Sequence, residues 1–308
     1  LDAIASGFDP HTNYFSQEGK EGFKEALSTE ALSFGLALDE NEKGQIVIND
    51  LTPGGPAWKS GDINEGDELL SLQWEGKEAV EMAGLSLEDA YEVLDQSIND
   101  RLVLKSKKSD GTIKIVFLRK EKLENEENTV KGCVLKGEKK IGYILLPAFY
   151  TQWENETGSS CANDVAKEIV KLKRENIDAL ILDIRYNGGG SLGEAMEMAG
   201  IFIDDGPLMG QKQKDGKVIY LKDPNRGTIY NGPMALMVNG QSASASEILA
   251  GTLQDYNRAL VIGSNTFGKA TMQQMMPLDT NAKKPGNINN VKDIVKITTG
   301  KLYRLNGE

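Results

Sequence analysis

Histidine is almost missing from this 308-residue chain, His11 being the only one. Any serine-histidine-aspartate arrangement would therefore depend on one residue in a D-P-H-T turn, a setting that suits turn formation better than catalysis. Cysteine is scarce too. Cys133 and Cys161 are too few to define a redox compartment and lack metal-ligand spacing, so neither a metal nor a cofactor is expected. No apolar run approaches the roughly 18 residues of a membrane span, so no spanning segment is expected. Basic charge is in deficit, with 35 Lys and Arg against 46 Asp and Glu and a net charge of −11. That argues against a nucleic-acid partner, which would select a basic face. What remains is an ordinary globular composition, 39 % hydrophobic and 26 % charged, long enough for two domains.

The most informative stretch runs from Asn239 to Gln274. Ile248, Leu249, Thr252, Leu253 and Tyr256 recur at helical spacing, and the serine-alanine run before them supplies candidates for the helix cap. Ser244 to Glu247 reads S-A-S-E, a capping box. A small hydroxyl thus sits at a helix start, beside unpaired backbone N–H groups able to stabilise an oxyanion. Arg258 to Ile262 reads as a short strand ending at Gly263, and Thr266-Phe267-Gly268-Lys269 as a tight turn that carries one amine.

Two chemistries compete for Lys269. Gly263 to Ala270 is one residue short of a phosphate-binding loop, G-x-x-x-x-G-K-[ST]. Ala270 lacks the hydroxyl that would ligate magnesium, and the residues from Ala270 to Pro277 are too few for the helix that would hold the phosphates. The other chemistry makes Lys269 the base for a serine. That role requires desolvation to lower the amine from about 10.4 towards about 7 to 8, and Phe267, Ala270 and Met272 are the apolar neighbours expected to provide it.

At these residues the chain resembles the carboxyl-terminal processing peptidases, or tail-specific proteases, which are serine peptidases with a Ser-Lys dyad. The matching text is S-A-S-A-S-E-I, L-Q-D, R-A-L-V-I-G and T-F-G-K. The resemblance implies Ser244 as nucleophile and Lys269 as base, with Gln273 orienting the lysine and Asp255 in a supporting role. It also implies an oxyanion hole made by the glycine turn and by the amide after the nucleophile. Gly189 and Ala245 are the residues assigned, with Gly188 or Gly190 as substitutes for the former. Ala270 departs from the family's usual glycine but carries no catalytic group.

Asp9 to Ser16, D-P-H-T-N-Y-F-S, resembles the opening segment of the same family, and residues 1–32 are read as belonging to the protease region. Residues 33–120 read as short strands with one helix over Leu85 to Ile98. The text F-G-L, P-G-G-P-A and I-N-E-G-D-E-L-L resembles a PDZ domain. Such a domain binds a peptide as an added strand in a groove between the F-G-L strand and the helix. Phe34, Gly35, Leu36, Leu38, Tyr91 and Leu94 are the candidate groove residues. Residues 121–140 hold a charged connector, E-K-L-E-N-E-E-N, and the approach to the first core strand.

Residues 141–308 alternate strands and helices: Ile141 to Leu146, Asp164 to Arg174, Asp178 to Ile184, then the Gly188-Gly189-Gly190 turn and a helix from Leu192 to Ile203. Strand, glycine turn and helix make the crossover pattern of α/β folds. Ile294 to Thr299 and Lys301 to Leu305 read as two strands around Gly300. Asn155-Glu156-Thr157 has the form of a glycosylation acceptor, a triplet frequent by chance.

The expected fold is therefore an α/β (α+β) protease core with βαβ crossovers and an inserted β-rich PDZ domain, the core being truncated at its carboxyl end. The expected activity is that of a serine endopeptidase acting on proteins with apolar carboxyl-terminal tails, with an adaptor protein as a further partner. The resemblance implies a periplasmic or otherwise exported location. The rival expectations are a peptide-binding PDZ module with an inactive protease core, and an acyl-transfer or hydratase-type enzyme that uses the glycine turn without proteolysis.

Overall fold

The computed structural model describes residues 1–26, 28–94, 100–124, 129–151, 160–213, 215–222, 227–278, 291 and 293–307. In chain order the elements are α1 (Asp2–Ser6), β1 (Asn13–Phe15), α2 (Gln17–Ala26), β2 (Glu30–Ser33), β3 (Leu36–Glu40), β4 (Ile46–Leu51), α3 (Pro56–Ser60), β5 (Glu68–Trp74), β6 (Val80–Glu81), α4 (Leu87–Leu94), β7 (Arg101–Lys107), β8 (Ile113–Arg119) and β9 (Glu121–Glu124). They continue with β10 (Lys131–Lys136), β11 (Lys140–Leu145), α5 (Cys161–Arg174), β12 (Ala179–Asp183), α6 (Leu192–Gly200), β13 (Pro207–Gln213), β14 (Val218–Lys222), β15 (Met234–Val238), α7 (Ala245–Asp255), β16 (Leu260–Gly263), β17 (Thr271–Pro277) and β18 (Ile294–Tyr303). They form two compact units, Glu30–Asn125 and, discontinuously, Leu1–Thr29 with Glu126–Glu308.

The larger unit is built on a sheet of order β10-β11-β12-β15-β16, in which β11, β12, β15 and β16 run parallel. Parallel strands covered by helices need apolar residues in quantity, and Ile144, Leu180, Leu182 and Leu236 are fully buried. Each contributes about 1.5–3 kcal/mol by leaving water. Helix α6 packs against both α5 and α7, and Leu249 and Leu253 of α7 are equally buried. A second sheet runs β1-β18-β13-β14, with β17 also paired to β18. Residues 294–303 form one strand rather than two: Gly300 stays inside it, where an added Cβ would lie 3.1 Å from the Lys212 carbonyl oxygen.

The smaller unit is a sheet of order β3-β4-β5-β7-β8, with β6 on β5 and with α3 and α4. Its strands alternate, so Leu72, Leu102 and Leu104 point inward to a core that includes Trp74. Glu121–Glu124, expected as connector, is strand β9, paired antiparallel with β2. The described part of the expected helix over 85–98 begins at Leu87 and reaches Leu94. Residues 95–99, the end of the charged stretch at 125–128, and the Asn155 triplet lie outside the described residues.

Candidate active site

The carboxyl ends of β12 and β15 are adjacent, the position where open parallel sheets commonly hold ligands. β12 leads into the glycine turn, and β15 leads through Asn239 to Ser244 at the start of α7. Asn187 joins the two loops. It is fully buried; its side-chain amide donates to the Leu146 carbonyl oxygen at 2.9 Å, and its own carbonyl oxygen accepts from the Ala243 amide at 3.0 Å and the Ser246 hydroxyl at 2.8 Å.

This web separates the three serines of the S-A-S-A-S run. Ser242 and Ser246 are fully buried, with hydroxyls donated to the carbonyl oxygens of Ile184 and Asn187, both at 2.8 Å. Ser244 is half-buried, closes a capping box with Glu247, and donates its hydroxyl to no acceptor among the described residues. Its φ of 57° and ψ of −113° are far from the extended conformation of an ordinary helix cap. Such backbone costs about 1–3 kcal/mol in a residue other than glycine and clusters at active sites.

The glycine turn closes on the same serine. A Cβ at Gly189, whose φ is +103°, would lie 2.7 Å from the Ala243 carbonyl oxygen, 2.9 Å from Ser244 Cβ and 3.1 Å from the Ala245 nitrogen. Only a glycine fits against the serine there. The Gly189 amide donates to Asn187 Oδ1 at 2.9 Å. The amides of Gly188, Gly190 and Ala245 have no acceptor among the described residues. Below the turn, burial opposes the charge on Asp183. The Arg185 guanidinium and the Tyr143 hydroxyl outweigh that and hold its carboxyl below the usual carboxylate range.

Lys269 is half-buried and lines the same cavity as Ser244, a space of about 520 Å³ running along α7. Among the described residues its amine has no hydrogen-bond or ion-pair partner, and none links it to Ser244 Oγ. Its backbone is held by Glu247. One oxygen of that carboxylate accepts from the amides of Ser244 and Lys269, both at 2.8 Å, and the other from the Gly268 amide at 2.6 Å. One side chain thus ties the loop that carries the lysine to the residue that carries the serine. The apolar wall expected around the lysine is thinner than the sequence suggests, since Phe267 is 66 % exposed and Ala270 exposed, whereas Met272 packs on the core. After the loop comes strand β17, so no helix follows to receive phosphates.

The other expected site residues are placed elsewhere. Gln273 does not bond to Lys269; its amide donates to Thr271 Oγ1 at 2.9 Å and Thr298 Oγ1 at 3.1 Å. Thr298 in turn bonds to Asp9, which also accepts from Thr12 Oγ1 at 2.9 Å, so the D-P-H-T turn is tied to β17 and β18. These bonds, with Thr298 first, hold the Asp9 carboxyl low. Lys296, over the rings of Phe15 and Phe23, is pushed down by burial and by the charge of Lys269. Asp255 stands at the far end of α7, roughly 16 Å of helix from Ser244, bonded to Arg304 and to the Leu305 amide at 3.2 Å. In the smaller unit Phe34, Leu38 and Leu94 belong to the core, while Leu36 and Tyr91 are half-buried beside it.

The profile of peptidase family S41 matches residues 140–308, more than half of the chain. The chain belongs to peptidase family S41. The PDZ domain profile matches residues 27–114. Among curated proteins, the tail-specific protease of Haemophilus influenzae is 33 % identical over all of this chain and 43 % of its own length. A CtpA-like serine protease of Staphylococcus aureus is 29 % identical over 86 % of this chain and 50 % of its own length. This S41 chain thus spans half or less of the length of these relatives. Two solved structures share its fold across the whole chain. One is a photosystem II D1 C-terminal processing protease at 23 % identity and TM-score 0.51, matched over 76 % of its chain; the other is an S41 protease from Bacteroides fragilis at 16 % identity and TM-score 0.55, matched over 79 %.

The sequence reading missed Asn187 and the loop-holding role of Glu247. Asn187 carried one signal, an asparagine immediately before three glycines. Glu247 was visible only as half of a capping box.

Proposed function

We propose that this S41 chain is a serine endopeptidase with a Ser-Lys dyad, acting on proteins chosen by apolar carboxyl-terminal tails. One observation carries the reading: of three neighbouring serines, Ser244 alone is not fully buried and donates its hydroxyl to no acceptor among the described residues, and it shares a cavity with Lys269. In the proposed reaction, Lys269 in its neutral form takes the proton from Ser244 Oγ as Oγ bonds to the carbonyl carbon of the scissile peptide. The resulting oxyanion accepts hydrogen bonds from the Ala245 amide and from the glycine turn. Among the described residues the Gly188 and Gly190 amides have no acceptor, while Gly189 shares its own with Asn187, so a neighbouring glycine is the stronger donor. Collapse of this intermediate breaks the C–N bond, with Lys269 returning the proton to the leaving amine. Water, deprotonated by the same lysine, then releases the acyl group and regenerates Ser244.

Glu247 is a positioning residue in this scheme, since it fixes the backbone of both partners. The smaller unit supplies tail recognition by strand addition to β3, and an exported setting with an adaptor protein goes with the resemblance. One observation favours the rival reading, a peptide-binding module with an inactive core: Ser244 and Lys269 share no hydrogen bond. Labelling with a serine-reactive fluorophosphonate, followed by mapping of the modified residue, decides between them. Modification at Ser244 that is lost in Lys269→Ala supports the peptidase. A folded chain that takes no label at Ser244 rules it out.

A further inference from the structure

Strand β3 is the edge of its sheet, so one row of its backbone groups has no strand partner among the described residues. Leu38 turns both its amide and its carbonyl to that edge, and both are taken by a single side chain. The Tyr91 hydroxyl, from α4, accepts from the Leu38 amide at 2.9 Å and donates to the Leu38 carbonyl oxygen at 3.0 Å. In an antiparallel ladder, a residue of an added strand makes this same pair of bonds with its own N–H and C=O. Tyr91 and a peptide residue cannot hold Leu38 together. Nearby, the Gly35 amide, in the loop where a terminal carboxylate would be met, is bonded to Ser33 Oγ at 3.0 Å. The edge is therefore closed at two points by the domain's own hydroxyls.

We propose that Tyr91 is a latch on the peptide groove, its hydroxyl standing in for the incoming strand and leaving before a tail can pair with β3. This rests on the reading of the groove as a receptor for carboxyl-terminal tails. The latch lowers the apparent affinity for every peptide by the fraction of time it is open. Main-chain bonding alone only replaces the two bonds that Tyr91 gives up. A tail must therefore add something further, apolar side chains that occupy the space of the Tyr91 ring, which is half-buried against the domain's core. Tyr91 thus acts as a threshold that separates apolar tails from any extended segment.

The test uses the full chain carrying Ser244→Ala, to prevent cleavage, with and without Tyr91→Phe. Binding of a fluorescein-labelled peptide ending in apolar residues is followed by anisotropy, beside the same peptide with a carboxamide end. Loss of two competing hydrogen bonds is expected to tighten binding about tenfold in Tyr91→Phe. Equal or weaker binding in the variant overturns the latch. Failure of both proteins to distinguish acid from carboxamide sinks the reading of the groove as a tail receptor, while the ratio between the two proteins still reports on Tyr91. Should no peptide bind either protein, hydrogen exchange at the Leu38 amide decides. Faster exchange in Tyr91→Phe at unchanged melting temperature upholds the hydroxyl's hold on that edge; an unchanged rate overturns it.

Discussion

Helix α7 carries at its two ends two residues that the resemblance marks, Ser244 as nucleophile and Asp255 in a supporting role, and they live under opposite conditions. At the start, Ser244 has strained backbone, a half-buried position and a hydroxyl donated to no acceptor among the described residues. At the end, Asp255 is nearly covered, paired with Arg304 and bonded to the Leu305 amide. A group with its hydrogen-bonding capacity filled has little left to offer a substrate. Asp255 is thus an anchor for the segment after β18, whereas Ser244 keeps a donor free for the chemistry proposed for it.

The sharpest way to break that comparison is to remove the chemical end. Ser244→Ala is expected to lower peptide hydrolysis at least about a thousandfold with the circular dichroism spectrum retained and at most about 2 kcal/mol of stability lost, the cost of a helix cap. Lys269→Arg should be equally inactive, because guanidinium stays charged throughout the usable pH range; a working Lys269→Arg enzyme would end the lysine-base mechanism. Gly189→Ala should abolish turnover and also cost about 2–4 kcal/mol in urea unfolding, because the new methyl group meets backbone that has no room to move.

Glu247→Gln is expected to reduce kcat about ten- to a hundredfold with little change in KM, since a neutral amide is a weaker acceptor for the Gly268, Ser244 and Lys269 amides. A drop confined to KM would mean that Glu247 shapes substrate binding instead. At the other end of the helix, Asp255→Ala should leave kcat within about threefold while costing about 1–3 kcal/mol of stability through the unpaired Arg304. A thousandfold loss of kcat in a stably folded Asp255→Ala would erase the distinction between the two ends. Smallest of all, His11→Gln should change hydrolysis less than about twofold, because among the described residues His11 is hydrogen-bonded only through its backbone amide, to Asp9 at 3.3 Å.

Much of this was legible in the chain itself. The helical spacing after Ser244 gave α7, the short run before Gly263 gave β16, and the glycine turn lay between a strand and a helix as expected. The misses share one cause. Glu121–Glu124 looked like solvated linker because its charges carry no apolar alternation, and it is strand β9 only because β2 lies alongside. Gly300 looked like a break because glycine weakens an isolated strand, yet here the close approach of β13 demands it. Phe34, Leu38 and Leu94 were candidates for the groove, but alternation along β3 and α4 does not say which side is filled by the domain's own core.

By itself the sequence determined the family, the α/β class with its inserted β-rich unit, and the pairing of a serine at a helix start with a lysine after a glycine. These rest on local spacing and on residue types that few other arrangements require. Only the tertiary structure decided which of three serines donates its hydroxyl to no carbonyl oxygen, that the Gly189 amide is shared with Asn187, that Glu247 bridges the two loops, and that Tyr91 lies on the edge of β3. Three of these depend on which donor finds which acceptor between segments distant in sequence, and the fourth, between Asn187 and Gly189, lies inside a single irregular turn; neither kind of hydrogen bond leaves a periodic trace in the chain.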